Sequence, residues 1–206
     1  MKILIIGAGN VGGTLGRTWL ARGHDVRFGV PDPSDPKYAT LPKERLQPAN
    51  ELRGAEVVVL AIPFPSTQAA IEALGDLSGV TVLDCTNPLA MGPDGLRLTL
   101  GYDTSGGERV AAWARGASVF KTLNQTGAEN MGEARGYSTK PVMFVAGDDA
   151  SKKPAVMSLV SDLGFESVDA GPLAAARLLE PLAMLWIELV MKRGQPRDFA
   201  FAMVRR

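Results

Sequence analysis

"MKILIIGAGNVGGTLGRTWLAR", Met1 to Arg22, decides the fold. Lys2 to Ile6 is an almost unbroken apolar run, as expected of a parallel strand covered on both faces. Gly7-Ala8-Gly9-Asn10-Val11-Gly12 then fits G-x-G-x-x-G, and Val11, Leu15 and Trp19 step by four through Asn10 to Arg22, giving a helix with one buried face. A strand, a glycine turn and a helix in immediate succession are the setting in which this motif predicts dinucleotide binding. Gly7 permits the tight turn, Gly9 lets backbone approach a pyrophosphate, and Gly12 lets helix and strand pack closely. The helix N-terminus adds free N–H groups and partial positive charge. Gly13 and Gly16, each costing about 1 kcal/mol of helix propensity against alanine, point to further close packing of that helix. The competing reading is a glycine-rich turn that binds nothing.

Outward from this unit, apolar β-rich runs alternate with helical patterns, which predicts an α/β, Rossmann-type, doubly wound and mainly parallel sheet. Strands are expected over Asp25 to Gly29, Ala55 to Ile62, "GVTVLDC", "ASVFKTL", "PVMFVAGDD" and "FESVDAG". Helices are expected over Ser66 to Leu74, Glu108 to Arg115, a stretch ending at Leu163, and Leu173 to Met191, where Pro181 should kink or restart the helix. The Pro-rich stretch to Pro48 and residues 91–107, "MGPDGLRLTLGYDTSGG", read as loops, the second long enough to be functional or mobile. A length of 206 residues suits one domain with an appendage: a dinucleotide-binding domain over 1–170 and a helical lobe over 171–206.

Composition narrows the function. Lys+Arg and Asp+Glu are both 22, so the basic excess expected of a nucleic-acid or membrane-surface partner is missing. One cysteine, Cys85, excludes an intrachain disulfide, and one thiol with one histidine argues against a metal site. "MKILIIGAG" lacks the apolar core and cleavage site of a signal peptide, and "AMLWIELVM" is half the length of a membrane span. A cytoplasmic protein is the expectation. His24 reads as a turn residue at the far end of the sheet, and Cys85 as a small core residue near the cofactor edge. Arg177 and Glu180 could pair with each other or with Asp169, or shape an acceptor pocket. Lys152 and Lys153 read as a solvated helix end, and Arg205 and Arg206 as an exposed tail.

"IIGAGNVGGTLG", "GHDVRFG", "VVVLAIPFP", "VLDCTNPL", "KTLNQTGAENM", "VMFVAGDDASKK" and "VDAGPLAAARLLEPLAMLWI" occur in that order over almost the whole chain. In this combination the chain resembles the NADP-dependent oxidoreductases of the deazaflavin coenzyme F-420. It is also similar to the dinucleotide-binding domain of six-transmembrane ferric reductases. The resemblance implies hydride transfer between NADPH and a deazaflavin or flavin-like ring, in a homodimer with a small C-terminal helical lobe. It places Ala8 to Val11 on the pyrophosphate, Ala61, Ile62 and Pro63 on the adenosine side or the riboses, and Asn87, Pro88 and Asn124 near the nicotinamide. The asparagines could equally cap their own turns. No catalytic side chain is expected, because the cofactors carry the chemistry. Two alternatives stay open: an NAD(P)H-dependent reductase of a small imine, carbonyl or quinone, and a dinucleotide-binding sensor.

Cofactor choice falls on "RFGVPDPSDP", Arg27 to Pro36. The family's Ser-Arg grip on the 2′-phosphate would align with Val30 and Pro31, neither of which has a side-chain donor. Asp32, twenty residues beyond Gly12, is at the spacing of an NAD-selecting acid but follows the expected strand end by more than one residue. Ser34 and Lys37 are the nearby groups that could hold a phosphate. NADP is the expected cofactor, with NAD the alternative.

Overall fold

A computed structural model describes residues 1–132 and 134–206. Among them are ten strands and six α-helices: β1 (Lys2–Ile6), α1 (Asn10–Ala21), β2 (Asp25–Val30), β3 (Leu46–Pro48), β4 (Val57–Leu60), α2 (Thr67–Leu74), β5 (Thr81–Asp84), β6 (Leu89–Gly92), β7 (Gly95–Leu98), α3 (Gly106–Trp113), β8 (Ser118–Lys121), α4 (Ala128–Gly132), β9 (Val142–Gly147), α5 (Lys153–Asp162), β10 (Glu166–Asp169) and α6 (Ala176–Met191). Eight strands form one sheet in the order β10-β9-β8-β5-β4-β1-β2-β3. All neighbours run parallel except β8 and β9. Strand order reverses between β1 and β4, the crevice where Rossmann sheets bind dinucleotides.

The apolar strands are continuous because each face has its own cover. Ile3, Ile5, Val57 and Val59 pack with Leu15 and Trp19 of α1 and with Val156 and Leu159 of α5. The alternate residues Leu4, Ile6, Val58 and Leu60 pack with Ile71 of α2 and Val110 of α3. Trp19 is fully buried and its indole N–H donates to the Leu159 carbonyl at 2.9 Å, tying α1 to α5. Gly16 is a packing glycine as expected: a β-carbon there would sit 2.2 Å from the Phe28 ring. At Gly13 it would instead meet the Arg17 guanidinium and the Ala8 carbonyl.

Several expectations are corrected. The loop of residues 91–107 begins with the β6–β7 hairpin, closed by Gly92-Pro93-Asp94-Gly95 with Gly95 at φ +108°. α3 starts at Gly106 rather than Glu108, because Ser105 caps it: its Oγ accepts from the Glu108 N–H and its hydroxyl donates to the Glu108 carboxylate. β2 runs on to Val30, held by pairing with β3. Pro181 does not restart the last helix; α6 is continuous through it, after a 3₁₀ turn over Leu173–Ala175. Leu178 and Leu185 of α6 remain exposed, so the single chain covers that helix incompletely. Lys153 pairs with Asp169 at 2.7 Å and Lys152 reaches the Gly79 carbonyl, so neither is a free solvated charge. Arg205 and Arg206 are exposed as expected, although Arg205 pairs with Glu166 and the Phe201 carbonyl, just before them, accepts from the Val142 N–H of β9. His24 does lie in the α1–β2 turn, bonded to Asp162. Among the described residues no helix is long and apolar enough to cross a membrane.

Asp149 joins β8 to the start of α5, accepting from Ser118 Oγ, Ser151 Oγ and N–H, and the Lys152 N–H. These bonds, that of Ser118 first, hold its pKa down to about 2. A depressed carboxylate stabilises the fold above its unfolded pKa and loses that contribution as pH falls. Asp149→Asn should therefore be less stable than the parent at pH 7, and the gap in urea midpoint should close as pH falls from about 4 towards 2.

Candidate active site

The turn from β1 into α1 is built by two glycines that admit no side chain. Gly7 has φ +98°, and a β-carbon there would lie 2.5 Å from the Ala61 carbonyl oxygen. A β-carbon on Gly12 would lie 2.0 Å from the Gly7 carbonyl oxygen, so α1 can seat on β1 only without one. Gly9 differs: its β-carbon would meet no atom within 4 Å. The fold does not require glycine at this position; its absence of a side chain leaves open space beside the helix N-terminus. Gly9 is also the N-cap of α1, with no side-chain cap and no acid in the first turn, so the N–H groups of that turn and the positive end of the helix dipole face solvent.

Across the strand-order reversal from this turn runs a cleft of about 300 Å³, lined by Asn10 and Val11, by Ala61, Ile62, Pro63 and Phe64 after β4, and by Cys85, Thr86, Asn87 and Leu89 after β5. Its walls are mostly apolar. Among the described residues lining it, Cys85 is the only titratable one, and burial pushes its thiol far above the ordinary range, so it stays protonated. Pro88 is buried behind this wall.

Asn87 and Asn124 do not cap their own turns; they bond to each other. Asn87 Nδ2 donates to the Asn124 carbonyl at 3.1 Å, and Asn124 Nδ2 donates to Asn87 Oδ1 at 3.0 Å and to the Leu179 carbonyl of α6 at 3.2 Å. Gln125 Nε2 donates to Asn124 Oδ1 and to the Phe144 carbonyl, which leaves the Asn124 side chain fully engaged. Leu123, buried just before it, has φ +58°, a conformation costing about 1–3 kcal/mol in a non-glycine residue. The strained turn after β8 is thus clamped to the turn after β5, beside the cleft.

Below the cleft lies a buried ionic cluster that the sequence did not announce. Lys121 Nζ donates to Asp84 Oδ2 at 2.9 Å and to the Thr86 carbonyl at 2.5 Å, and pairs with Glu180 at 2.9 Å. Asp84 Oδ1 accepts from the Thr86 N–H and hydroxyl, and Glu180 accepts from the N–H groups of Gly106 and Gly107 at the start of α3. Burial alone would lower the Lys121 pKa, but Asp84 and Glu180 outweigh it and raise it, so the ammonium is charged. A signal was present: Asp84 and Lys121 are the charges ending two neighbouring apolar strands, and the register pairs them directly. Glu180 therefore pairs with neither Arg177 nor Asp169; Arg177 forms a bidentate pair with Glu108 at 2.9 and 2.6 Å.

After β2, Val30 is fully buried, while Pro31, Asp32 and Ser34 are exposed. Ser34 donates both its N–H and its hydroxyl to Asp32 Oδ1, and Lys37 pairs with Asp35 at 2.6 Å.

The strand order, the crevice at its reversal and the glycine turn between β1 and α1 define a Rossmann dinucleotide-binding protein. Residues 2–88 match the family of NADP oxidoreductases, coenzyme F420-dependent. A candidate F420-dependent NADP reductase from Arthrobacter sp. FB24 is 32% identical over 100% of both chains, with TM-score 0.88. The chain belongs to this family of NADP-dependent oxidoreductases. The fold is shared by the hypothetical protein SMa0349 of Sinorhizobium meliloti, at 23% identity over 99% of this chain and 96% of that one, TM-score 0.77. It is shared also by an imine reductase of Myxococcus stipitatus solved with NADP⁺, at 15% identity over 94% of this chain and 63% of that one, TM-score 0.68.

Two substitutions separate the folding and binding roles of the glycines, and a third probes the ionic cluster. Gly9→Ala should leave stability within about 0.5 kcal/mol and weaken dinucleotide binding at least about tenfold, or 1.4 kcal/mol. Gly12→Ala should cost about 3 kcal/mol or more in stability, from overpacking against backbone. Lys121→Met, which leaves two buried carboxylates without their cation, should cost about 3–5 kcal/mol. Chemical denaturation and calorimetric titration read all three.

Proposed function

We propose that the protein transfers hydride between a nicotinamide dinucleotide and a second ring, a deazaflavin or flavin-like acceptor. The dinucleotide's pyrophosphate would lie on Gly7, Ala8, Gly9, Asn10, Val11 and Gly12. Ala61, Ile62 and Pro63 would line its middle, and Asn87 with Pro88 would flank the nicotinamide end. Asn124 serves this arrangement by holding Asn87. When bound, the dinucleotide supplies the two electrons and proton that leave as hydride. The chain's own part is to fix the two rings face to face and to keep water from between them.

One observation carries the reading: apart from a neutral thiol, the cleft wall has no titratable side chain among the described residues. Lys121 cannot serve as a proton donor, since three buried acceptors already engage its ammonium. Reduction of an imine or carbonyl calls for a proton donor at the reacting centre. Hydride exchange between rings calls for none on the protein, because a ring nitrogen of the acceptor can exchange its proton with solvent. Family membership adds support from outside the site.

Stopped-flow mixing of the protein and reduced dinucleotide with deazaflavin, FMN, FAD, a quinone and a cyclic imine tests this. Rapid dinucleotide oxidation is expected with the deazaflavin, or with a flavin. Turnover of the imine or quinone alone would replace the ring acceptor with a small-molecule one. Micromolar dinucleotide binding with no turnover of any acceptor would leave a sensor.

A further inference from the structure

The turn after β2 has a selectivity of its own, which rests on the proposed binding of a dinucleotide at the β1–α1 turn. The Gly7 N–H donates to the Gly29 carbonyl at 3.0 Å, so the chain leaving β2 runs beside the phosphate turn. In this fold an acid at that place takes a ribose 2′-hydroxyl, whereas cationic or N–H donors take a 2′-phosphate.

Most donors of this turn are already engaged. Pro31, Pro33 and Pro36 have no N–H. The Ser34 N–H and hydroxyl both bond Asp32 Oδ1, at 2.8 and 2.6 Å. The Asp35 N–H bonds the Asp32 carbonyl, the Lys37 N–H bonds Asp35 Oδ1, and the Tyr38 N–H bonds the Asp35 carbonyl. The Lys37 ammonium lies 2.6 Å from Asp35 Oδ2. From Pro31 to Tyr38 this leaves the Asp32 N–H as the one backbone donor without a partner among the described residues. It also leaves two carboxylates against one ammonium. Asp32 Oδ2 has no partner among the described residues, and the two Ser34 bonds hold the carboxyl below its ordinary pKa, so it is ionised at neutral pH. β2 ends at Val30, one residue later than its sequence suggests, which brings Asp32 within two residues of the strand end.

We infer that this turn excludes a 2′-phosphate and that the chain takes NAD(H) in preference to NADP(H), with Asp32 Oδ2 accepting from the ribose 2′-hydroxyl. The residues thus fit the dinucleotide but not the extra phosphate of the family's usual cofactor. Two cations outside the turn could offset its charge. One is Arg17 of α1, whose guanidinium lies 3.2 Å from where a Gly13 β-carbon would be, and the other is Lys43, which lines a cavity with Ser34 and Asp35.

Calorimetric titration of the full chain with NADH and NADPH tests the inference. NADH should bind at least tenfold more tightly. Asp32→Ala should narrow the ratio from both sides, weakening NADH and strengthening NADPH. Pro31→Arg, which adds a donor to an exposed position, should strengthen NADPH alone. Tighter NADPH binding by the unaltered protein overturns the inference, and its loss in Arg17→Ala or Lys43→Ala would show which cation holds the phosphate. An unchanged ratio in a folded Asp32→Ala protein also overturns it. Binding of neither dinucleotide would remove the dinucleotide reading itself, a result distinct from the wrong preference.

Discussion

The contact on which the rest depends is that of the Gly12 α-carbon with the Gly7 carbonyl. A β-carbon would reach within 2.0 Å of that oxygen, so helix α1 can approach strand β1 only at a residue without one. The close seat brings Gly16 against Phe28 and buries Leu15 and Trp19 in the layer shared with α5. It also aims the uncapped first turn of α1 at the strand-order reversal. Packing and ligand recognition therefore share one short segment, yet different glycines carry them. Gly7 and Gly12 are needed by the backbone, and Gly9 only by what approaches it.

The second organising feature is electrostatic. Asp84, Lys121 and Glu180 lose hydration worth several kcal/mol per ion, which three mutually satisfied ion and hydrogen-bond sets must offset. Replacing such a cluster with apolar residues is often no less stable, so its value here lies in what it connects. Asp84 shapes the turn that presents Cys85, Thr86 and Asn87 to the cleft. Glu180 ties α6 to the N-terminus of α3, and Lys121 joins the two. The clamp from Asn124 to Asn87 and Leu179 repeats the connection one layer higher. The cleft wall is thus held by polar contacts just behind it, while the wall itself stays apolar.

The legible parts of the sequence were those with local causes. The order of strand, glycine turn and helix, the runs at β4, β5, β8 and β9, and the helical period of α1 all depend on neighbours within a few residues. The β6–β7 hairpin escaped because its strands are four residues each and β6 does not alternate, although Leu96-Arg97-Leu98 does and Pro93-Asp94-Gly95 marks the turn. β3 escaped because three residues ending in proline gain strand geometry only from pairing with Phe28 to Val30 of β2. The reversal at β9 and the pairing of Lys121 with Glu180 are long-range facts with no local period. The ionic cluster could have been found only by taking a charge at the end of an apolar strand as a question about its neighbour.

The same contrast separates the two halves of the proposed cofactor site. At the β1–α1 turn, residue type and conformation coincide at Gly7 and Gly12, where only glycine has room, so that part of the motif reads directly as geometry. After β2 the residue types mislead, because serine and lysine have the chemistry of phosphate ligands. In the folded chain an Asx turn takes both donors of Ser34, and Asp35 neutralises Lys37, while three prolines remove backbone N–H groups that could have replaced them. A donor's meaning in a turn is set by the carboxylate two residues before it. A turn with alternating acids and prolines binds itself first, and what it offers a ligand is an acceptor.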